Sequence, residues 1–234
     1  MPPLLTQILA ALAPFASAER AVQERAYLKS QLRFLGVGIP RIRQETMAAV
    51  AAAEKHGKLT AAQLQAIAEA AWATDSHDAR AIALVLLEKR AKRLTVADLP
   101  WLEAILRASF TWAYVDTIAV HAVGQVVKQA PVATKAVLAR WATDGDFWLR
   151  RSALLALLGE ARAGAAFDTA QFEHFAVPLL GEKEFFIRKA IGWVLRDVAG
   201  KDPQWVQGFL DRHGAQMAPL SVREAARGVA RAKA

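Results

Sequence analysis

The chain has 234 residues, 54% of them hydrophobic and 22% charged, enough to bury a sizeable core as one large domain or two small ones. It contains no cysteine, which excludes disulfide scaffolds, cysteine-ligated zinc, iron–sulfur clusters and thiol catalysis. Lys and Arg number 30 against 22 Asp and Glu, a net charge of +8 with a pI near 10.0, a balance that points to an anionic partner, nucleic acid before a membrane surface.

No apolar run reaches the roughly 18–20 residues that a membrane span needs, so no membrane partner is expected. At the N-terminus, Ile8-Leu9-Ala10-Ala11-Leu12 followed by Ala16-Ser17-Ala18 has the outline of a secretory signal. No Lys or Arg precedes Arg20, however, and Gln7 and Pro14 interrupt the apolar stretch, so a first amphipathic helix is the better reading. Gly36-Val37-Gly38-Ile39-Pro40 reads as a turn rather than a nucleotide fingerprint, since no strand precedes it. Thr60 with Gln63 predicts a capping box, opening a helix with the apolar stripe Leu64, Ile67, Ala68, Ala71 and Trp72. Thr95 and Asp98 open the next, with Pro100 in its first turn. Leu138, Trp141 and Ala142 belong to another stripe, and Ser221 with Glu224 predicts a last capping box. Gly57, Gly145, Gly159, Gly181 and Gly200 are expected at breaks. Helix formers are plentiful, no Asn occurs to make Asn-Gly hairpin turns, and no long alternating β-branched run is present. The fold class is all-α.

The chain also repeats itself. Asp146 to Leu155 lines up with Glu184 to Trp193, 38 residues later, and Asp78 to Leu84 is a looser copy. A period near 40 with two helices per unit predicts HEAT-like repeats, antiparallel helix pairs stacked as an α-solenoid with a concave face. No linker rich in Gly, Ser or Pro divides residues 1–234, which therefore read as a single domain. Arg80, Arg150, Arg151, Arg188, Lys189 and Arg223 each fall near the start of a predicted helix. On one side of a solenoid they would form a positive strip suited to a phosphodiester backbone. The same charges would equally serve ion pairs between repeats.

Seven tryptophans are present, and Trp72, Trp141 and Trp205 fit core stripes. Trp112 differs: with Asp116 it makes an i, i+4 pair that puts an indole and a carboxylate on one helix face. Alone, that spacing also describes an indole beside a solvated acid. His56, His77, His121, His174 and His213 show no metal spacing, and no glycine-rich phosphate loop or nucleophile elbow occurs, so neither metal nor organic cofactor is expected.

Four segments together resemble the AlkD family of bacterial DNA alkylation repair glycosylases, which are built of HEAT-like repeats. They are Arg33 to Gln44, Trp112 to Asp116, Phe147 to Arg151, and Glu184 to Arg196; Ala218 to Ala225 is similar to the family's C-terminal end. The resemblance runs from about Tyr27 to about Val229. It implies an active cleft of two tryptophans, an aspartate and an arginine, matched here by Trp112, Trp193, Asp116 and Arg151. It places Tyr27 near the DNA. Arg43, Arg150, Arg188, Lys189 and Arg223 join these as DNA-binding candidates. Thr111 stands where members carry a second tryptophan, and Gly38-Ile39 replaces a polar pair before Pro40. The implied activity is hydrolysis of the N-glycosidic bond of N3- and N7-alkylated purines (3-methyladenine, 7-methylguanine) in double-stranded DNA. It needs no cofactor and no lyase step, and the damaged base stays stacked. The implied setting is a monomer in the bacterial cytoplasm, associated with the nucleoid. Two other readings stand beside it: a non-catalytic HEAT-repeat relative that recognises bent or branched DNA, and a protein-interaction scaffold.

Overall fold

The computed structural model describes residues 1–159 and 167–232. Among them the backbone is helices and turns, with an isolated bridge between Arg33 and Ser76 and no strand, as an all-α sequence requires. The chain forms two compact units, Met1–Ile118 and Ala119–Ala234.

In the first unit, α1 (Pro3–Leu12) buries Leu5, Ile8 and Leu12, the one-faced spacing of an amphipathic helix. The Ser17 side chain caps α2 (Ala18–Leu28), accepting from the Arg20 N–H at 3.3 Å. The turn before α3 (Ile39–Ala53) depends on Gly36, whose φ is +75°; a Cβ there would lie 2.1 Å from the Ser17 carbonyl oxygen. Both halves of the Thr60–Gln63 box form at the start of α4 (Ala61–Trp72). Ser76 caps α5 (His77–Arg90), where every residue from His77 to Leu87 is buried. That continuous burial reflects its neighbours: α5 packs on α1, α3 and α4. Thr95 and Asp98 form their box at a short 3₁₀ turn that leads into α6 (Leu99–Arg107), with Pro100 in its first turn. The unit closes with α7 (Trp112–Thr117), also against α5.

A π-helical turn, Ile118–Val123, precedes α8 (Gly124–Gln129), α9 (Pro131–Ala142), α10 (Phe147–Ala156) and α11 (Thr169–Ala176). Then come α12 (Phe185–Ala199), α13 (Pro203–His213) and α14 (Pro219–Ala232). The sequence repeat is structural. Asp146 caps α10 by accepting from the Trp148 N–H at 2.8 Å, and Glu184 caps α12 by accepting from the Phe186 N–H at 3.1 Å. The two copies pack on each other, α14 packs on α12, α9 lies against α10, and α13 against α12 and α14. Small residues let α12 and α14 approach: a Cβ on Gly228 would meet the Arg196 Cα and carbonyl oxygen at 2.8 Å.

The structure corrects one of the expected helix signals. Ser221 is not an N-cap. Pro219 already begins α14, the Ala218 carbonyl accepts its first bonds, and the buried Ser221 hydroxyl donates to the Arg188 carbonyl at 2.7 Å. Glu224 is held by Arg196 and by Arg227 rather than reaching back to the backbone. Gly159 follows the break that ends α10, whose C-cap is Leu157, and a Cβ on it would meet the Gly124 carbonyl oxygen at 3.2 Å.

Candidate functional site

In the first unit, α7 carries Trp112 and Asp116 one turn apart, both half-buried. The opposite face of this short helix is anchored. Tyr114 and Val115 are buried, and the Tyr114 hydroxyl shares a 2.7 Å hydrogen bond with Nδ1 of His77. His77 stacks on Phe34 with ring centroids 4.1 Å apart. Burial, reinforced by the nearby Arg80 charge, pushes the His77 pKa down to about 4, so the ring is neutral. Arg80 lies 5.5 Å from the Trp72 ring and 5.8 Å from the Tyr114 ring. Its guanidinium donates to the carbonyls of Trp72, Thr74 and Ala108, each at 3.3 Å. One buried cation thereby satisfies the C-terminal ends of α4 and α6 and holds the chain that leads into α7.

In front of Trp112 stands Tyr27, 73% exposed, its ring edge-on to the indole at 6.1 Å and 87°. Behind these rings is a cavity of about 350 Å³ with Leu28, Ile39, Leu84 and Val85 in its wall. Glu24 and Glu88 also line it. Burial pushes the Glu24 carboxyl up from its ordinary value. Hydrogen bonds from Arg43 hold Glu88 down to about 2. That pairing is two-pronged, at 2.9 and 2.7 Å, so Arg43 is committed to Glu88 in the free protein.

In the second unit, the predicted basic residues do lie near helix starts, yet they differ in what they do. Arg150 donates to the carbonyls of Asp144 (2.6 Å) and Gly145 (3.0 Å) and pairs with Glu182 at 2.8 Å. Arg151 is 1% exposed, donates to the Phe186 carbonyl and lies 5.7 Å from the Phe186 ring, tying α10 to the start of α12. Arg188 donates to the Glu182 carbonyl at 2.7 Å. Lys189 and Arg223 are exposed, and neither makes an ion pair among the described residues; the Lys189 ammonium lies 5.9 Å from the Phe185 ring. Trp193 is half-buried one turn after Lys189, on the same face of α12.

The first unit thus brings Tyr27 and Trp112 into contact, with Asp116 one turn further on. The second brings Lys189 and Trp193 onto one helix face. Sequence reasoning missed the His77–Tyr114 anchor, whose partners lie 37 residues apart, and the Arg80 clamp, whose three carbonyls lie 6, 8 and 28 residues away; no motif announces either. Among the described residues no cluster of His, Asp and Glu could hold a metal ion, and no helix is long and apolar enough to cross a membrane.

The arrangement suits a cationic, planar group, because indole faces attract cations and a carboxylate adds to that attraction. The solved structure of a predicted DNA alkylation repair enzyme from Enterococcus faecalis shares this fold, with a TM-score of 0.78 at 23% identity over 91% of this chain and 95% of that one. No curated protein matches the chain. The sequence pattern of the DNA alkylation repair enzymes matches residues 8–228, nearly the whole length. The chain belongs to the family of DNA alkylation repair enzymes, and its role is in DNA repair.

Proposed function

We propose that this chain is a monofunctional DNA glycosylase that hydrolyses the N-glycosidic bond of N3- and N7-alkylated purines in duplex DNA. The observation that carries the reading is the Trp112–Asp116 pair, on a helix whose back face is tethered through Tyr114, in a member of a DNA alkylation repair family.

The chemistry follows from charge. An N3- or N7-alkylated purine is cationic and leaves readily: the C1′–N bond breaks, its electron pair neutralises the base, and the sugar becomes oxocarbenium-like. Trp112 offers an indole to the cationic nucleotide, a contact worth roughly 0.5–2 kcal/mol. The Asp116 carboxylate stabilises the positive charge that grows on the sugar and orients the water that attacks C1′, whose O–H proton is released to solvent as the new C1′–O bond forms. Trp193 supplies a second indole, and Tyr27, Lys189, Arg188 and Arg223 contact the DNA, each from its own unit. Arg151 contacts a phosphate only by exchanging its bond to the Phe186 carbonyl for one to the DNA, and Arg43 and Arg150 likewise have to leave their acidic partners. An enzyme of this kind relies on the lability of a charged lesion and is poor on neutral bases such as uracil. It does not require the base to be flipped from the stack.

The test is release of 7-methylguanine and 3-methyladenine from methylated duplex DNA by the unsubstituted protein beside Asp116→Asn. Release that the substitution abolishes supports the glycosylase and the role of its acid. Tight, salt-sensitive DNA binding without release from either protein replaces it with the non-catalytic relative. Absence of both release and binding leaves a protein scaffold.

A further inference from the structure

We propose that the cavity behind Tyr27 and Trp112 is a binding site for a small N-alkylated ammonium ion, held by the two rings and by the carboxylate of Glu24. The inference goes beyond the glycosylase reading and is tested without DNA.

Charge singles this cavity out. The chain as a whole carries +8, yet the charged side chains in the cavity wall are Glu24, Glu88 and Arg43. Glu88 is taken up by Arg43 through two hydrogen bonds and by Lys89 at 3.0 Å. His77, also in the wall, is a neutral ring. Glu24 is what remains. Its carboxylate is half-buried and accepts no hydrogen bond among the described residues. Arg20 lies 3.6 Å away, but its side chain is 56% exposed, and a solvated pair of that kind contributes little. Burial accordingly raises the Glu24 pKa; Arg20 opposes the rise and the nearby Asp78 adds to it. A cation in the cavity offsets that cost by giving the carboxylate a partner away from solvent.

The rest of the wall says which cation. The Tyr27 and Trp112 rings stand at 87° with centroids 6.1 Å apart, so together they form an aromatic corner. Such a corner suits a rounded cation whose charge is spread over its N-alkyl groups, the chemistry that aromatic cages recognise. Leu28, Ile39, Leu84 and Val85 give the alkyl groups an aliphatic surface. A hydrated inorganic cation would lose water against that surface without replacement, and a phosphate would face Glu24 and Glu88. The volume, about 350 Å³, falls within the range of small-molecule sites. Entry is open at the rim, where Tyr27 is 73% and Ile39 48% exposed.

The test titrates the full chain with choline and with its neutral isostere, 3,3-dimethyl-1-butanol, following the tryptophan indole N–H signals by NMR. Choline should saturate with a Kd of about 1 mM, and the alcohol should bind roughly tenfold more weakly or not at all. Glu24→Gln should weaken choline about tenfold and leave the alcohol unchanged, a charge-specific loss that misfolding does not produce. Glu24→Asp, which keeps the charge, should recover most of the affinity. Tyr27→Ala should weaken choline several-fold with little change in thermal midpoint, because the ring is mostly exposed. Equal affinity for choline and the alcohol, full choline affinity in Glu24→Gln, or no saturable choline binding by about 10 mM overturns the proposal. Each of these results leaves the glycosylase reading in place, since that reading stands or falls on base release.

Discussion

His77 shows how much the candidate site owes to groups that never touch solvent. It is buried and neutral, with its pKa at about 4 rather than near 6.5, chiefly because burial penalises its charged form. The unfolded chain takes a proton on this imidazole as the pH falls through about 6.5, whereas the folded chain resists until about 4. The stability that comes from keeping the ring neutral is therefore complete above pH 6.5, is lost between there and pH 4, and changes no further below. Its size is about 3 kcal/mol. Asp78 and Glu24, both raised by burial, act in the opposite sense over part of the acid range, so total stability does not isolate the effect. The difference in unfolding free energy between the unsubstituted protein and His77→Gln does. Measured by urea titration, that difference should shrink by about 3 kcal/mol from pH 7 to pH 4; a difference independent of pH would show that His77 is not buried as a neutral ring. None of this is legible locally. The five histidines look alike in the sequence, and His77 is distinguished only by Phe34 and Tyr114, brought to it by the packing of α5 and α7. Trp112 and Asp116 are legible because one helical turn joins them.

At the scale of helices, the repeat rests on caps and close approaches. Asp146 and Glu184 do the same work 38 residues apart, which is why their segments look alike in the sequence. The Thr60 and Thr95 boxes can be read from four residues each. Ser221 cannot, because Pro219 starts α14 first and tertiary contact then claims the hydroxyl for the Arg188 carbonyl. Glycine is similarly ambiguous in sequence: Gly145 marks a break with open space around it, while Gly228 sits where α14 meets α12. The two should respond differently to one methyl group. On Gly228 it would meet backbone atoms of Arg196 at 2.8 Å, and helix backbone cannot step aside as a side chain tip can. Gly228→Ala should cost about 1–3 kcal/mol, the usual range for overpacking. Gly145→Ala should stay within about 0.5 kcal/mol of the parent. Denaturant midpoints of the two variants check the contrast, and equal midpoints would mean that α12 and α14 are not closely packed.

For the molecule as a whole, the excess of positive charge is the feature that survives every rearrangement of detail, at +8 over 234 residues. Composition gives the excess, and the repeat places basic residues near helix starts. Neither says which of them are available, since that depends on carbonyls and acids brought in from other turns. Arg80, Arg150 and Arg151 are taken up by such groups, while Lys189 and Arg223 are exposed. Charge reversal should therefore divide the set. Lys189→Glu and Arg223→Glu should leave unfolding midpoints nearly unchanged. Each should lower DNA affinity and reduce the slope of log K against log salt by about 0.9 for every phosphate that is no longer neutralised. Arg150→Ala should instead lower stability, because it strips the Asp144 and Gly145 carbonyls of their donor and Glu182 of its partner. Binding isotherms at several salt concentrations, with thermal melts of the same variants, decide the matter. A slope that is insensitive to both exposed cations would remove α12 and α14 from the DNA interface, and the positive charge there would then serve the fold alone.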